Sequence, residues 1–425
     1  MRIGLEVHVA LPTETKLFCS CKTYVEEPNT SICPICMGMP GSKPKLNRKA
    51  LMIGLSVSAA LHCKVKEKIG FVRKVYFYPD LPKNYQITQL YDPVGYDGYI
   101  ELSNKRIGIR RVQLEEDPAR VYREGEYTLL DFNRSGTPLL EIVTEPDIAS
   151  EEELREFYSE LRSILYYFGI EIDREMKADL NISLSKSRVE VKNITGIKNL
   201  VDAAKYEIKR QSSILERGEE PQTETRSYIP EHMATEHTRE KETDEEYGYI
   251  FEPDLTFYST KMELMKPVYA SRIASEYAKK YGANEMTLKE LIAYDRNALE
   301  LLEAEAGKHG MQDIIAALEQ LKRYKITMGP SEFSEVVKLV EEKKAIDRSK
   351  LSAIAEGRKV LSDEKISEGM IADEIKRFIE RNPKIVEEIK KNPKSINTVV
   401  GSVSKAIGAD PRAVLKLAKA ILEKN

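Results

Sequence analysis

Four cysteines near the N-terminus form the strongest candidate for a metal site. Cys19 and Cys21 are separated by one residue, and Cys33 and Cys36 follow as a Cys-Pro-Ile-Cys pair. Two close pairs joined by a short loop can close the tetrahedral thiolate site that Zn²⁺ prefers. A closed site has no open position for a substrate, so we predict a structural zinc. The alternative is four unrelated cysteines, and we expect the fifth, Cys63, in the core.

A second candidate group combines carboxylates with one histidine. Glu6 and His8 lie two residues apart in an alternating run, so their side chains share one face of a predicted strand. Glu115 belongs to a Glu-Glu-Asp run, and Glu141 lies in an otherwise apolar strand, where an unpaired charge is costly. Oxygen ligands with one imidazole suit Mg²⁺ or Mn²⁺. The alternative is an ion pair between Glu141 and one of two arginines, Arg111 or Arg134.

Residues 73–86 combine aromatic side chains, two prolines and several cations. Such a segment suits a phosphate and a nucleobase or ribose, although a structural loop with core aromatics is an equal alternative. The sequence has no GxxxxGK[ST] loop and no GxGxxG after a strand, so any ATP would be held by another device.

Charge is distributed unevenly along the 425 residues. Residues 381–425 carry ten basic and four acidic side chains, whereas the net charge of the whole chain is −3. This basic tail suggests a polyanionic partner, and the alternative is a solvated helical face. The sequence lacks 18 consecutive apolar residues and a leader with an apolar core, so we expect no membrane span and a reducing cytoplasmic location.

Hydrophobic periodicity predicts a mixed α+β first part. Residues 3–9 and 188–192 alternate as half-buried strands, and residues 151–168 and 198–216 follow helical spacing, the former with a capping Ser150. The polar stretch 216–248 has no apolar period, which predicts a long loop or irregular strands. From about residue 268 the pattern becomes helical.

Several segments, in matching order and spacing, resemble the B-subunit family of tRNA-dependent amidotransferases (GatB). They are IGLEVHV at 3–9, FYPDLPK at 77–83, LEED at 114–117, NRSGTPLLEIV at 133–143 and EPD at 252–254. The resemblance covers nearly the whole chain. It implies an α+β fold with a large mixed-sheet cradle domain at 1–258, an all-helical domain at 259–354 and a helical YqeY-like tail at 355–425.

The resemblance also implies a reaction. Family members use ATP to phosphorylate the side-chain carboxylate of Glu on tRNA(Gln) or Asp on tRNA(Asn), and ammonia then displaces the phosphate to give the amide. A partner amidase (GatA) releases that ammonia from glutamine, and a small partner (GatC) completes a heterotrimer. The implied cofactors are ATP, Mg²⁺ and Zn²⁺.

Residue by residue, the family places Mg²⁺ on the positions of His8, Glu115 and Glu141, with Glu6 close by. Positions that line the mouth of its ammonia channel are Lys74, Lys83, Glu115 and Asp179. We expect exposed cations of the basic tail to contact the body of the tRNA and not its reacting aminoacyl end. These candidates are Lys391, Lys394, Arg412, Lys416 and Lys419.

Two departures from the family pattern bear on the site. Lys177 and Ala178 stand where the family usually has Arg and Cys, and Lys lacks the bidentate fork of Arg. Residues 247–251 lack another family Arg. The chain also lacks the large insertion that the related archaeal GatE proteins carry, which disfavours that assignment. A non-catalytic zinc-containing tRNA scaffold and a divergent stand-alone ligase remain alternative hypotheses.

Overall fold

The computed structural model describes the whole chain except a set of short stretches. These are residues 171–175, 241–247, 345, 358–367, 383–384, 387–388, 390–394, 408–410 and 423–425. The chain divides into two compact units. The first comprises Met1–Tyr277 with Ile292–Arg296, and the second comprises Ala278–Leu291 with Asn297–Asn425. The predicted three-part division remains a prediction.

The first unit is built on a mixed sheet of eight strands in the order β13-β12-β11-β10-β1-β9-β6-β5. Only the β11–β12 pairing in this sheet is parallel among the described strands. The strands are β1 (Arg2–Ala10), β2 (Lys68–Ile69), β3 (Val72–Val75), β4 (Tyr85–Thr88), β5 (Gly95–Glu101), β6 (Arg106–Glu116), β7 (Arg120–Glu124), β8 (Tyr127–Asp131), β9 (Pro138–Thr144), β10 (Lys177–Ser183), β11 (Val189–Thr195), β12 (Glu224–Ile229), β13 (Ala234–Glu240), β14 (Gly248–Phe251) and β15 (Tyr258–Ser259).

Twelve helices accompany these strands within the described residues, so the predicted α+β class is confirmed. They are α1 (Arg48–Ala60), α2 (Glu151–Tyr167), α3 (Ile197–Glu216), α4 (Ala270–Tyr281), α5 (Glu285–Tyr294), α6 (Arg296–Glu305), α7 (Met311–Tyr324), α8 (Pro330–Glu341), α9 (Arg348–Ala355), α10 (Glu368–Arg381), α11 (Ile396–Ile407) and α12 (Pro411–Leu422). Among them, none combines the length and apolarity that a membrane crossing needs.

Alternation in the central strands separates an apolar face from a polar face. In β1, Leu5 and Val7 are buried in the main hydrophobic core, whereas Glu6 and His8 on the other face are half-buried. Helix α1 packs on the apolar face so closely that a Cβ at Gly54 would lie 3.3 Å from a methyl carbon of Leu114. The polar face therefore lies on the side of the sheet away from α1.

Both helices predicted in the first unit are confirmed. Helix α2 begins after Ser150, whose side chain accepts a hydrogen bond from the Glu153 amide. The Glu153 carboxylate in turn accepts from the Ala149 amide at 2.8 Å, which completes a reciprocal cap at this end. Helix α3 begins one residue before the predicted start and ends at the predicted Glu216.

For segment 216–248 the prediction was a long loop or irregular strands, and its described residues include two strands. The strands are β12 and β13, which pair antiparallel at one edge of the main sheet with a register shift between Thr225 and Arg226. Their contacts are polar: fully buried Glu207 of α3 accepts a hydrogen bond from Thr235 and pairs with Arg226 at 3.2 Å. Buried ion pairs and hydroxyls here replace the apolar period on which the sequence prediction depended.

The C-terminal helices have a hydrophobic cluster of their own. Val414 and Ala418 of α12 are buried in it, and Leu417 and Ile421 pack against it. This confirms the predicted apolar stripe of the last helix. Arg412, Lys416 and Lys419 lie on the exposed side of the same helix. The other helix starts predicted at Asn-Pro-Lys units, residues 382–384 and 392–394, lie largely outside the described residues.

Candidate functional site

Three central strands bring His8, Glu115 and Glu141 together on the polar face of the sheet. His8 lies directly opposite Glu141 across the β1–β9 pairing, and Glu141 lies opposite Gln113 of β6. Glu115 follows two residues after Gln113 on the same strand face. One ligand atom from each of the three residues lies within 4.8 Å of the others, and His8 Nε2 is 3.6 Å from Glu115 Oε1.

Burial disfavours the charged forms of the side chains in this cluster. Glu115 and Glu141 are only 7% and 6% exposed. Burial, and then the nearby charge of Glu115, raise the pKa of Glu141 to about 7. Burial opposes the charge of His8, but the surrounding carboxylates, with Glu141 foremost, raise its pKa overall. Two buried carboxylates beside one imidazole are a set that a divalent cation would neutralise.

The surrounding contacts fit a cation. The Gln113 amide nitrogen donates to Glu141 and, at 3.2 Å, to Thr88. Its carbonyl oxygen is buried without a hydrogen-bond partner among the described residues. Arg111, one alternative partner of Glu141, lies 4.0 Å away, and the other, Arg134, pairs with Asp117 instead. Glu141 therefore has a long ion pair with Arg111 and a hydrogen bond from Gln113, rather than a close ion pair.

A second acidic group lies beside the first one. Glu6 and Asp179 are directly opposite each other across the β1–β10 pairing, and Glu190 of β11 joins them within 4.8 Å. Lys192 is 3.2 Å from both Asp179 and Glu190. The Asn181 amide donates to Glu6 at 3.2 Å. This group offers three carboxylates for a cation, with one lysine already partly neutralising them.

A pocket of about 830 Å³ opens next to the His8 cluster. Its wall includes His8, Asn133, Lys177 and two arginines, Arg120 and Arg134. Arg134 binds Asp117 through both Nε and Nη2. Burial raises the pKa of Asp117 to about 6 despite the opposing charge of Arg134. The pocket wall thus offers three basic side chains that can contact phosphate, interspersed with the acidic Glu26, Asp117 and Asp131.

The two lysines predicted at this site have different surroundings. The Lys83 side chain is 7% exposed, and its ammonium pairs with buried Glu116 rather than with Glu115. Glu116 also accepts a hydrogen bond from the Ile87 amide at 2.9 Å. Lys74 belongs to the separate three-stranded sheet β14-β3-β4, and its ammonium nitrogen lies 5.7 Å from the ring centre of Tyr76. Lys74 therefore lies on a different sheet from His8, Glu115 and Glu141.

The four predicted zinc ligands converge. The Sγ atoms of Cys19, Cys21, Cys33 and Cys36 all lie within 4.8 Å of one another. The Sγ atoms of Cys33 and Cys36 are 3.8 Å apart. Tetrahedral ligation at a Zn–S distance of about 2.3 Å requires sulfur atoms roughly 3.8 Å apart. All four cysteines are free of disulfides, so the donor set and its spacing both fit zinc.

Comparison with known proteins decides the family. Residues 1–266 match the model of the GatB/GatE catalytic domain. This chain belongs to the GatB family. It is 38% identical to the B subunit of aspartyl/glutamyl-tRNA(Asn/Gln) amidotransferase from Saccharolobus solfataricus, over 99% of this chain and 98% of that protein. The GatB proteins of the same name from Methanocaldococcus jannaschii and Persephonella marina are each 36% identical, over at least 98% of both chains.

The sequence identifies the ligand-type residues of this GatB chain but not their neighbours. Glu190 and Lys192 belong to an alternating run whose chemistry was not predicted. Gln113 gives no local signal, because its importance depends on the strand register with Glu141. Of the predicted tRNA contacts, Lys391 and Lys394 lie outside the described residues.

Proposed function

We propose that this chain is the GatB subunit that activates the side-chain carboxylate of Glu-tRNA(Gln), Asp-tRNA(Asn) or both for amidation. The observation that carries the proposal is the cluster of half-buried His8 with buried Glu115 and Glu141. Through His8 this cluster adjoins a pocket that is also lined by Arg120, Arg134 and Lys177. An oxygen-rich cation site beside basic side chains that can contact phosphate suits phosphoryl transfer, which depends on positioning and charge neutralisation.

The chemistry explains why such a site is needed. A free carboxylate does not release oxide to an attacking amine. Transfer of the γ-phosphoryl group of ATP to a carboxylate oxygen releases ADP and produces a mixed anhydride. Ammonia then adds to the carbonyl carbon, and the bond from that carbon to the phosphate oxygen breaks. Inorganic phosphate leaves with the electron pair, and the nitrogen loses one proton to give the amide.

The residues of the pocket have separate tasks in this proposal. Arg120 and Lys177 bind phosphate oxygens. Arg134 is held by both oxygens of Asp117, which fixes the direction of its guanidinium at the pocket wall. Lys177 replaces an arginine of the family pattern, so it supplies a point charge in place of a fork. Positively charged side chains of this kind favour the charge that develops during phosphoryl transfer.

His8, Glu115 and Glu141 would hold Mg²⁺, with Gln113 supplying a further carbonyl oxygen. When bound, Mg²⁺ neutralises the negative charge of the phosphates. The residues themselves contribute by their rigidity: each lies on a central strand of the sheet, so the ligand set exists before substrate arrives.

A route for ammonia is the second part of the proposal. Glu6, Asp179 and Lys192 border the same polar face of the sheet as the His8 cluster. With Lys74 and Lys83, they are proposed to line the path by which ammonia enters. A charged and polar lining suits a small molecule that exchanges protons with its surroundings.

We further propose a heterotrimer with the amidase GatA and the small GatC, because the relatives are named as B subunits of an amidotransferase. The exposed side of α12, with Arg412, Lys416 and Lys419, is proposed to contact the tRNA body. Zinc at the four cysteines is proposed to have a structural role.

The experiment uses the reconstituted complex with misacylated tRNA, ATP and ammonium chloride in place of glutamine. Both Glu-tRNA(Gln) and Asp-tRNA(Asn) are tested. We expect amide formation coupled to ADP release, and we expect Glu141→Gln to lose both. Glu145→Gln, at an exposed ion pair just beyond the same strand, is the matched control and should remain active. Full activity of Glu141→Gln would contradict the proposed site and favour the non-catalytic scaffold.

A further inference from the structure

Lys16 is the largest side chain that is fully buried in the described part of the chain. Its ammonium nitrogen is 3.7 Å from Cys36 Sγ and donates to the carbonyl oxygen of Phe132 at 3.2 Å. No carboxylate within ion-pair distance of Lys16 occurs among the described residues. A lysine side chain in a fully buried position needs a negative partner, because an isolated buried charge is strongly unfavourable.

The cysteine site can provide that negative charge. Four thiolates around one Zn²⁺ carry a net charge of −2. Lys16 faces this group through Cys36, which also accepts a hydrogen bond from the Cys33 amide at 3.2 Å. An ammonium and an amide donor at a ligating sulfur are the outer contacts that hold a metal ligand in place. Without metal the compensation of the Lys16 charge would be weaker.

The second acceptor of Lys16, Phe132, lies in the turn whose neighbouring residues line the pocket. Phe132 begins the turn that carries Asn133 and Arg134, both of which line the pocket. The same turn is tied to the cysteine loop a second time, because the Ser31 amide donates to Asn133 Oδ1 at 2.7 Å. A third tie is the hydrogen bond from the Leu17 amide to the Gly136 carbonyl at 2.8 Å.

The turn also packs against the Lys16 side chain at Gly136. Gly136 has a φ of +86°, which favours glycine, and a Cβ there would lie 3.4 Å from Lys16 Cδ. The Gly136 amide donates to the carbonyl oxygen of Asp117, the residue that orients Arg134. The aliphatic part of Lys16 therefore packs against the turn at Gly136. Its ammonium group contacts both Cys36 of the cysteine loop and the carbonyl oxygen of Phe132 in the turn.

We propose that Lys16 is a positioning residue that couples zinc at the four cysteines to the order of the pocket turn at residues 131–137. Zinc then has a role beyond the stability of its own loop: it holds Asn133 and Arg134 in the pocket wall through Lys16. The inference rests on zinc at the cysteine site, and it does not require the proposed phosphoryl transfer.

The test is hydrogen exchange on the full-length protein, with zinc content measured in every sample. The variants are Lys16→Met, which keeps the length of the stem without the charge, and Lys22→Met, an exposed lysine of the same loop, as the matched control. Wild-type protein is compared with and without a zinc chelator. The readouts are the zinc dissociation constant and exchange of the 131–137 amides. Both readouts are independent of catalysis.

We expect Lys16→Met to weaken zinc binding by about 10- to 100-fold, as loss of an outer contact to a metal ligand typically does. We also expect faster exchange at 131–137, both in zinc-loaded Lys16→Met and in chelated wild-type protein, with Lys22→Met unchanged. Exchange at 131–137 that stays at the wild-type rate after chelation would overturn the coupling. If Lys16→Met fails to fold, the chelated wild-type protein still tests the coupling of zinc to the turn, and Lys16→Gln tests the role of Lys16 with the same two readouts. Zinc-loaded Lys16→Met with wild-type affinity and exchange would overturn the role of Lys16.

Discussion

His8 and Glu141 lie directly opposite each other on the antiparallel strands β1 and β9. Their pairing fixes the imidazole and the carboxylate on one face of the sheet, and Glu115 of the next strand completes the group within 4.8 Å. Three hydrogen-bonded central strands carry these side chains. We therefore expect substitutions that alter only the ligand atoms to leave the fold intact.

We predict that Glu115→Gln in the reconstituted complex lowers the amidation rate by about 100-fold or more, the usual cost of losing one preorganised electrostatic contact. Glutamine preserves the shape of the side chain, so the affinity for tRNA should change little. Rates at saturating tRNA and direct tRNA binding measure the two effects. A variant that loses tRNA binding in proportion to its rate would point to a structural role instead.

Lys83 and Glu116 form a buried ion pair, with side chains 7% and 6% exposed. We predict that Lys83→Met lowers the free energy of unfolding by about 3–5 kcal/mol, because it leaves a buried carboxylate without its partner. The double variant Lys83→Met/Glu116→Gln should recover much of that stability. Denaturant unfolding of both proteins tests this expectation.

The same pair tests the proposed ammonia route. If Lys83 acts only through stability, the recovered double variant should also recover amidation with ammonium chloride and with glutamine. We predict that it does not recover the glutamine-dependent reaction. Full recovery of that reaction would remove Lys83 from the proposed route.

We predict one zinc per chain in the purified protein and four thiols that are unreactive until a chelator is added. Cys63 should stay unreactive at pH 8 in the folded protein, because burial raises its pKa to about 12. Elemental analysis and thiol titration, before and after chelation, provide the measurement. Zinc well below one per chain, together with four thiols that titrate at once, would contradict the site.

The exposed side of α12 gives a separate prediction about tRNA. Changing Arg412, Lys416 and Lys419 to Glu should weaken tRNA binding and reduce the salt slope, by about one for each lost phosphate contact. Lys338→Glu, at an exposed position of α8, is the control. Deletion of residues 355–425 should likewise raise the KM for aminoacyl-tRNA. An unchanged salt slope in the triple variant would show that this helix has only a packing role.

Much of the central architecture was predictable from local pattern. The alternation of β1 placed Glu6 and His8 on one face, and the cysteine spacing predicted a four-thiolate group, because both properties depend on short-range geometry. Helix α2 was predictable for the same reason, since Ser150 and Glu153 cap it locally.

Features that depend on distant partners were not predictable. Strands β12 and β13 gave little apolar signal, because much of their packing is polar and involves Glu207 and Arg226. No local pattern marks Lys16 as buried, since its burial depends on Cys36 and on a turn more than 100 residues away. The resemblance places Lys83 at the site, but only the fold identifies Glu116 as its partner.

The most direct test of the proposed activation step is transfer of the γ-phosphoryl group of labelled ATP to misacylated tRNA, measured in the reconstituted complex without an ammonia donor. We predict a tRNA-linked, alkali-labile phosphate that requires the aminoacyl group and disappears when ammonium chloride is added. We predict no such product with Glu141→Gln and a normal amount with Glu145→Gln. A wild-type yield of labelled tRNA from Glu141→Gln, or amidation by the wild-type complex without ATP consumption, would contradict the proposal.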